Sequence, residues 1–143
     1  DVCSSDLRMF HGRHFTQMVT PPGSRMPADA TSTGRVLLAQ LSDDEVLARF
    51  RDHWQAGPAN SPQSPESLLA SLAEIRQQGW SLARNEALPG ISSLSVIVHN
   101  KHHGETVALC LSFLSQESEP GYPPALLDAL RATATEMAEK FGA

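Results

Sequence analysis

The feature of this sequence that most constrains its fold is a pair of apolar segments separated by one short polar loop. Residues 91–99 are rich in β-branched side chains, and 105–114 follow after the hydrophilic segment 100–104. Two such segments joined by a short loop containing glycine are typical of a β-hairpin. A shorter strand is predicted over 80–84, ahead of the turn at Pro89-Gly90. The chain is therefore predicted to contain a sheet built from hairpins.

Two short helices are predicted ahead of this sheet. Ser and Thr side chains at 31–33 precede an apolar run, and their oxygens suit the N-cap of a helix over 33–40. The Ser-x-x-Glu capping box at 42–45 predicts a second helix that extends to Phe50. The residues of the first helix expected in the core are Val36, Leu37 and Leu41.

Two longer helices complete the predicted elements. Ser64-Pro65 combines an N-cap residue with proline at the first helical position, and Gly79 is a typical C-terminal stop. Pro124 opens the last helix. The apolar residues at helical spacing in these two helices are Leu68, Leu72, Ile75, Leu126, Leu130, Ala134, Met137 and Phe141. This order predicts an α+β fold with an antiparallel sheet flanked by helices.

Composition and charge disfavour several classes of protein. The hydrophobic content of 41% and charged content of 19% are typical of a globular domain. No apolar run approaches the ~20 residues that cross a bilayer, so we expect no membrane partner. The net charge of -5 and the scattered basic residues make nucleic-acid binding by this segment improbable. Two cysteines provide no disulfide framework, which favours a reducing, cytoplasmic location.

The first seven residues are expected to be foreign to the protein. The opening, DVCSSDL, is dense in Ser and Asp and joins abruptly to Arg8, and it looks like the translation of a sequencing adapter. An ordinary frayed N-terminus is the alternative. We therefore assign 1–7 to the adapter and 8–143 to one domain that is incomplete at its N-terminal end. This interpretation makes the chain a fragment and leaves Cys110 as its only cysteine.

The start of the first predicted helix is a candidate binding site. The small residues of ATSTGR, at 30–35, leave the first backbone N–H groups of the helix accessible. The helix dipole places partial positive charge at the same point, so a carboxylate is a natural ligand. The alternative is a well-capped helix without a ligand.

The strand over 105–114 supplies a second candidate wall. Cys110 and Ser112 alternate onto one face of this otherwise apolar strand, and Ser93 on the neighbouring strand could join them. A few small polar groups among apolar ones suit a small-molecule pocket. The alternative is that this face points to solvent.

The sequence predicts neither a metal site nor an enzyme. Six histidines are present, but neither His11 and His14 nor the group at 99–103 has a recognised ligand spacing. Cys110 is the only credible nucleophile, and it lies mid-strand, away from a predicted helix N-terminus or an adjacent base. We therefore expect no metal, no cofactor and no catalytic residue. A thiol-based redox sensor or an enzyme that uses Cys110 remains the alternative.

Three blocks of the sequence carry a resemblance to a known family. They are ATSTGRVLLAQLSDDEV, LLASLAEIRQQGWSLARNEALPGISSLSVIVHN, and VALCLSFL with a final helix that ends in EMAEKFGA. Together they resemble the effector-binding domain of the IclR family of bacterial transcription regulators, over nearly everything from Met26 onward. The resemblance implies an N-terminally truncated, GAF-like domain with a curved antiparallel sheet. A winged helix-turn-helix domain, absent here, would precede it and bind promoter DNA as a dimer or tetramer.

The resemblance also implies a site. In that family small organic acids bind where the helix after the small-residue stretch begins, so the backbone amides of Ser32 and Thr33 would hold a carboxylate. The further contacts implied are Ile91 as an apolar wall and the side chains of Ser93, Cys110 and Ser112. A position that is acidic in some members falls near Ala83, with Arg84 beside it. This departure leaves the effector's identity open, and an effector with a second anionic group is one option.

The function expected from these features is ligand sensing without catalysis. A small organic acid would modulate DNA binding by the absent N-terminal domain. The expected partners are that acid, further copies of the chain in a homodimer or homotetramer, and promoter DNA through the missing domain only.

Overall fold

The computed structural model describes residues 23–50, 54, 60–100, 104–115, 122 and 124–141. Its strands are β1 (Trp80–Arg84), β2 (Ile91–Asn100) and β3 (Glu105–Leu114), paired antiparallel in the order β1-β2-β3. The helices of the described part are α1 (Ser32–Leu38), α2 (Asp43–Phe50), α3 (Pro65–Gln78) and α4 (Pro124–Phe141). These elements confirm the predicted α+β class. The proposed adapter segment 1–7 and residues 101–103 of the predicted loop lie outside the described residues, whereas Asn100, predicted in that loop, is the last residue of β2.

Pairing between the strands sorts the side chains of the sheet into two faces. In β2 and β3, Ser93 is opposite Ser112 and Ser95 is opposite Cys110. Because side chains alternate along a strand, all four share one face. We call this the serine face. Its described members are Ser81, Ala83, Ile91, Ser93, Ser95, Ile97, His99, Thr106, Ala108, Cys110, Ser112 and Leu114.

The opposite face of the sheet packs against α4. Leu94, Val96 and Val98 are buried there with α4 residues Leu127 and Leu130. Of the apolar residues predicted at helical spacing in α4, Leu130 and Ala134 are buried and Leu126 and Met137 pack against the same cluster. The prediction omitted the buried Leu127, and it included Phe141, which is 38% exposed. Positions three and four residues before Leu130 both lie on its side of the helix, so spacing alone does not separate 126 from 127.

α1 covers part of the serine face, and α2 and α3 lie behind α1 in a second apolar core. Val36 and Leu38 are buried there with Leu68 and Leu72, and Ile97 of the sheet packs against this cluster. The prediction that Leu37 belongs to the core is wrong, because Leu37 is half-buried and Leu38 is fully buried. Since α1 lies between the sheet and α3, its burial does not follow a single stripe.

The capping residues of α2 and α3 place the ends of these two helices where the sequence predicts them. Glu45 N–H donates to Ser42 Oγ at 3.3 Å, and the Glu45 carboxylate accepts from Ser42 N–H at 2.8 Å. The Ser42 backbone N–H, and after it the Ser42 hydroxyl, which donates to the same carboxylate at 2.8 Å, hold the pKa of Glu45 below its ordinary value. Ser64 caps α3, and Gly79 ends it in the left-handed region with a φ of 79°. None of the described helices combines the length and apolarity needed to cross a bilayer.

Candidate functional site

The start of α1 is fixed by a cap and by a close backbone contact. Thr31 is the N-cap, and its Oγ1 accepts from the Gly34 N–H at 3.1 Å. A Cβ at position 34 would overlap the backbone of Ala28, so glycine is required for the preceding turn to pack here. The amides of Ser32 and Thr33 precede the first intrahelical hydrogen bond, as expected for a first turn. The helix begins one residue earlier than the sequence predicts.

The Ser32 side chain points into the sheet. Its Oγ lies 2.8 Å from Ser93 Oγ and 2.8 Å from Ser95 Oγ. Ser95 Oγ in turn lies 3.2 Å from Thr33 Oγ1. Ser32 and Ser95 are fully buried, whereas Thr33 and Ser93 are half-buried. These four residues form one network between α1 and β2, which we call the hydroxyl cluster.

The exposed side of the same site lies on β3. Cys110 Sγ lies 3.9 Å from Ser32 Oγ and 4.0 Å from Ser112 Oγ. Cys110 and Ser112 are exposed, whereas Ser81 and Ala83, on β1 at the other side of β2, are buried. We call this part of the serine face, which is exposed over β3 and has the hydroxyl cluster along its inner side, the groove.

Most of the predicted site residues meet in this groove. Ser32, Thr33 and Ser93 belong to the hydroxyl cluster, and Cys110 and Ser112 extend it onto β3. The sixth, Ile91, lies on the same face two residues before Ser93 and opposite Leu114. It therefore borders the groove at the beginning of β2 and is not part of the hydroxyl network.

Two further serines of this face were missed by the sequence analysis. Ser95 is a central member of the hydroxyl cluster, and the period-2 alternation 91, 93, 95 contained the signal for it. Ser81 lies opposite Ser95 on β1 and is 1% exposed, and its Oγ has no hydrogen-bond partner among the described residues. Its burial depends on the position of α1, which no local pattern predicts.

The two residues at the expected acidic position lie on different faces. Ala83 is opposite Ser93 on the serine face and is 4% exposed. Arg84 lies on the other face and lines a separate open cavity with Asn60 and Asn85. Arg84 is therefore not placed to bind a second anionic group of a ligand in the groove.

The environment of Cys110 corrects one sequence-based expectation. We expected this cysteine away from a helix N-terminus, yet its Sγ lies beside Ser32 in the first turn of α1. The reason is the antiparallel pairing that places Cys110 opposite Ser95. The described contacts of the thiol are the hydroxyls of Ser32 and Ser112, which are not general bases.

Metal ligands do not gather in the part of the chain that the structure describes. No group of three His, Cys, Asp or Glu side chains is placed there to hold an ion. His99 belongs to this part, and its Nδ1 lies 3.3 Å from Thr106 Oγ1. The other histidines of the sequence analysis, at 11, 14, 102 and 103, lie outside it.

This α+β domain, in which a small-residue helix start meets a serine-rich sheet face, is similar to the C-terminal domains of bacterial transcription regulators. The family described as "Bacterial transcriptional regulator IclR C-terminal" matches residues 10–139 of this chain. The chain therefore belongs to the IclR C-terminal family. This confirms the resemblance carried by its three sequence blocks.

Curated relatives are regulators of transcription. The Pca regulon regulatory protein of Pseudomonas putida is 34% identical over 116 residues, which cover 76% of this chain and 40% of that protein. The transcriptional regulator XynR of Escherichia coli is 33% identical over 94 residues, 65% of this chain and 37% of that protein. The chain thus spans less than half the length of these relatives.

Solved structures share the fold. The repressor BlcR of Agobacterium tumefaciens aligns with a TM-score of 0.76 and 26% identity, over 87% of this chain and 51% of that chain. The inducer-binding domain of PobR from Acinetobacter, a double mutant in complex with 3-hydroxybenzoic acid, aligns with a TM-score of 0.70 and 30% identity. That alignment covers 84% of this chain and 72% of that chain.

Proposed function

We propose that this domain senses a small organic acid in the groove between α1 and the serine face. The observation that carries the proposal is the hydroxyl cluster, which brings the first turn of α1 against β2 and beside the exposed Cys110 and Ser112. The PobR inducer-binding domain, which is similar to this chain, is in complex with a carboxylic acid. That similarity supports the same class of ligand here.

The carboxylate would lie at the start of α1. The N–H groups of Ser32 and Thr33 and the helix dipole would hold it, with about 0.3 to 1 kcal/mol for each favourable charge at an exposed site. Ser93 and Ser112 would add hydrogen bonds worth roughly 0.5 to 1.5 kcal/mol each. Ile91 would supply an apolar border, and the Cys110 thiol would line the groove as a weak donor.

The domain would act as the sensing half of a longer regulator. Its relatives are transcription regulators of which it spans less than half, so the DNA-binding part would lie outside this chain. Ligand binding would change DNA binding by that part within a homodimer or homotetramer in the cytoplasm. The domain itself would require no cofactor, and it would catalyse no reaction.

Calorimetric titration with a panel of short keto acids and aromatic acids tests this proposal. Ser112→Ala removes one hydroxyl from the open side of the groove, and we expect its dissociation constant to rise about 2- to 10-fold. The matched control is Thr106→Ala, an exposed residue on the same strand and face. It lies six positions away, about 20 Å along the strand, and should leave affinity unchanged.

Failure has two distinct signatures. Equal affinities for the wild type, Ser112→Ala and Thr106→Ala would place the ligand elsewhere. No binding of any acid, together with rapid stoichiometric modification of Cys110 by a thiol reagent, would favour the redox alternative. A groove-lining Cys110 should instead react at the rate of an ordinary thiol.

A further inference from the structure

A buried ion pair joins α1 to the connection between β1 and β2. Two nitrogens of the Arg35 guanidinium lie 2.8 Å from the two carboxylate oxygens of Glu86, so the pair is bidentate. Arg35 is 3% exposed and Glu86 is 6% exposed. The same guanidinium donates to the Leu82 carbonyl at 2.8 Å, and the Arg84 N–H donates to Glu86 at 3.3 Å. Both charged groups are thus held in one orientation.

Stability alone does not account for this pair. The desolvation of two buried charges offsets most of their attraction, and well-packed apolar residues often replace such pairs without loss of stability. Arg35 Nε also has no hydrogen-bond partner among the described residues, which adds to the desolvation penalty of burying the guanidinium. What a bidentate guanidinium–carboxylate pair does provide is fixed geometry, because both planar groups must align.

The ion pair lies one helical turn from the proposed site. Arg35 is three residues after Ser32, so the two side chains lie on neighbouring turns of one side of α1. Glu86 belongs to the connection that leads directly into Ile91 and Ser93 at the beginning of β2. Two ties therefore hold α1 to the β1–β2 hairpin: the hydroxyl cluster at its first turn and the ion pair at its second.

We propose that Arg35 and Glu86 are a positioning pair that sets the start of α1 against β2 and thereby the affinity of the groove for a carboxylate. Without the pair, hydroxyl contacts would be the main polar tie between the first turn and the sheet. The backbone N–H groups of Ser32 and Thr33 would then vary in direction, which weakens the binding of a carboxylate that accepts from both. The affinity part of this inference rests on the proposed function, whereas the geometric part does not.

The test separates positioning from stability. In the double variant Arg35→Met/Glu86→Leu, apolar side chains of similar size replace the pair, and we expect a urea midpoint close to that of the wild type. Hydrogen exchange of the amides in 32–38 and 85–91 should nevertheless become about tenfold faster or more, because these segments open locally. The control is Lys140→Gln/Glu136→Gln, which removes an exposed pair on α4 and should change neither segment.

Titration with pyruvate and with 3-hydroxybenzoate completes the test. For whichever acid the wild type binds, the double variant should raise the dissociation constant at least about fivefold, or roughly 1 kcal/mol. Arg35→Lys keeps the charge and loses the bidentate geometry, so it should also speed hydrogen exchange and raise the dissociation constant. This variant replaces the double variant in the test if the double variant does not fold.

The outcomes are distinguishable. Unchanged exchange in a folded variant overturns the positioning role, and faster exchange with unchanged affinity overturns the link between that role and the affinity of the groove. If the wild type binds neither acid, the proposed ligand class fails for these probes, and the exchange rates still decide whether the pair fixes α1.

Discussion

Replacing Ser32 with alanine should destabilise the domain through the hydroxyl cluster. Ser32 is fully buried, and its Oγ lies 2.8 Å from both Ser93 Oγ and Ser95 Oγ. Two hydrogen bonds at about 0.5 to 1.5 kcal/mol net each give a loss of roughly 1 to 3 kcal/mol. The lower half of that range is expected, because half-buried Ser93 can regain water and Ser95 keeps its contact with Thr33.

Urea unfolding of a double-mutant cycle measures this contribution. With a denaturant slope of about 2 kcal/mol per molar urea, a loss of about 1.5 kcal/mol lowers the midpoint by roughly 0.7 M. Ser32→Ala and Ser95→Ala remove the same hydrogen bond, so the double variant should lose about 0.5 to 1.5 kcal/mol less than the sum of the single losses.

The control cycle pairs Ser32→Ala with Ser92→Ala. Ser92 is also buried, but it lies on the opposite face of the sheet and bonds to Ser115 Oγ at 2.7 Å. Its effect should add to that of Ser32→Ala within about 0.5 kcal/mol. Additive losses for Ser32 and Ser95, or a Ser32→Ala loss below about 0.5 kcal/mol, would refute the reasoning.

Three further predictions concern the elements that hold the site. Gly34→Ala should lower the free energy of unfolding in urea by about 1 to 3 kcal/mol or more, because the alanine Cβ would overlap the Ala28 backbone. A variant as stable as the wild type would contradict this. Arg76→Ala should lower the free energy of unfolding by about 1 to 2 kcal/mol, since the partly exposed guanidinium donates to two carbonyls that follow α1, those of Ala39 and Leu41. Arg76→Lys should recover only part of this loss. The hydrogen bond from the Ser42 backbone is the main cause that lowers the pKa of Glu45 in the folded state. The ionised Glu45 carboxylate therefore stabilises the fold above its ordinary pKa of 4.5, and this stabilisation is lost as the pH falls through the folded-state pKa. The difference in urea midpoint between wild type and Glu45→Gln should therefore be larger at about pH 7 than at about pH 3, and a difference that does not change with pH would contradict it.

The ends of α2, α3 and the three strands were predictable to within one residue because their signals are local. The Ser42 capping box, the Ser64-Pro65 start and the Gly79 stop each act within one turn of the chain. The hydrophilic segment 100–104 predicted the β2–β3 hairpin in the same way. Where spacing left two neighbouring candidates, as for Leu126 and Leu127, the prediction was ambiguous by one residue.

The interior of the site depends on contacts between distant parts of the chain. Ser32 meets Ser95 across 63 positions, and Arg35 meets Glu86 across 51. Alternation along β2 indicated which serines share a face, but it did not indicate which face α1 would cover. For that reason the sequence predicted a backbone site at the start of α1 and missed the burial of the Ser32 side chain.

The most direct test of the central claim is a titration of the ¹⁵N-labelled chain with pyruvate and 3-hydroxybenzoate, followed by amide chemical shifts. A ligand in the groove should shift the amides of Ser32, Thr33, Ser93 and Ser112 most and move Thr106 little. Shifts centred on Arg84 and Asn85, which line the separate cavity, would contradict the assignment of the groove as the sensing site. The absence of shifts with both acids at millimolar concentration would contradict the proposed ligand class.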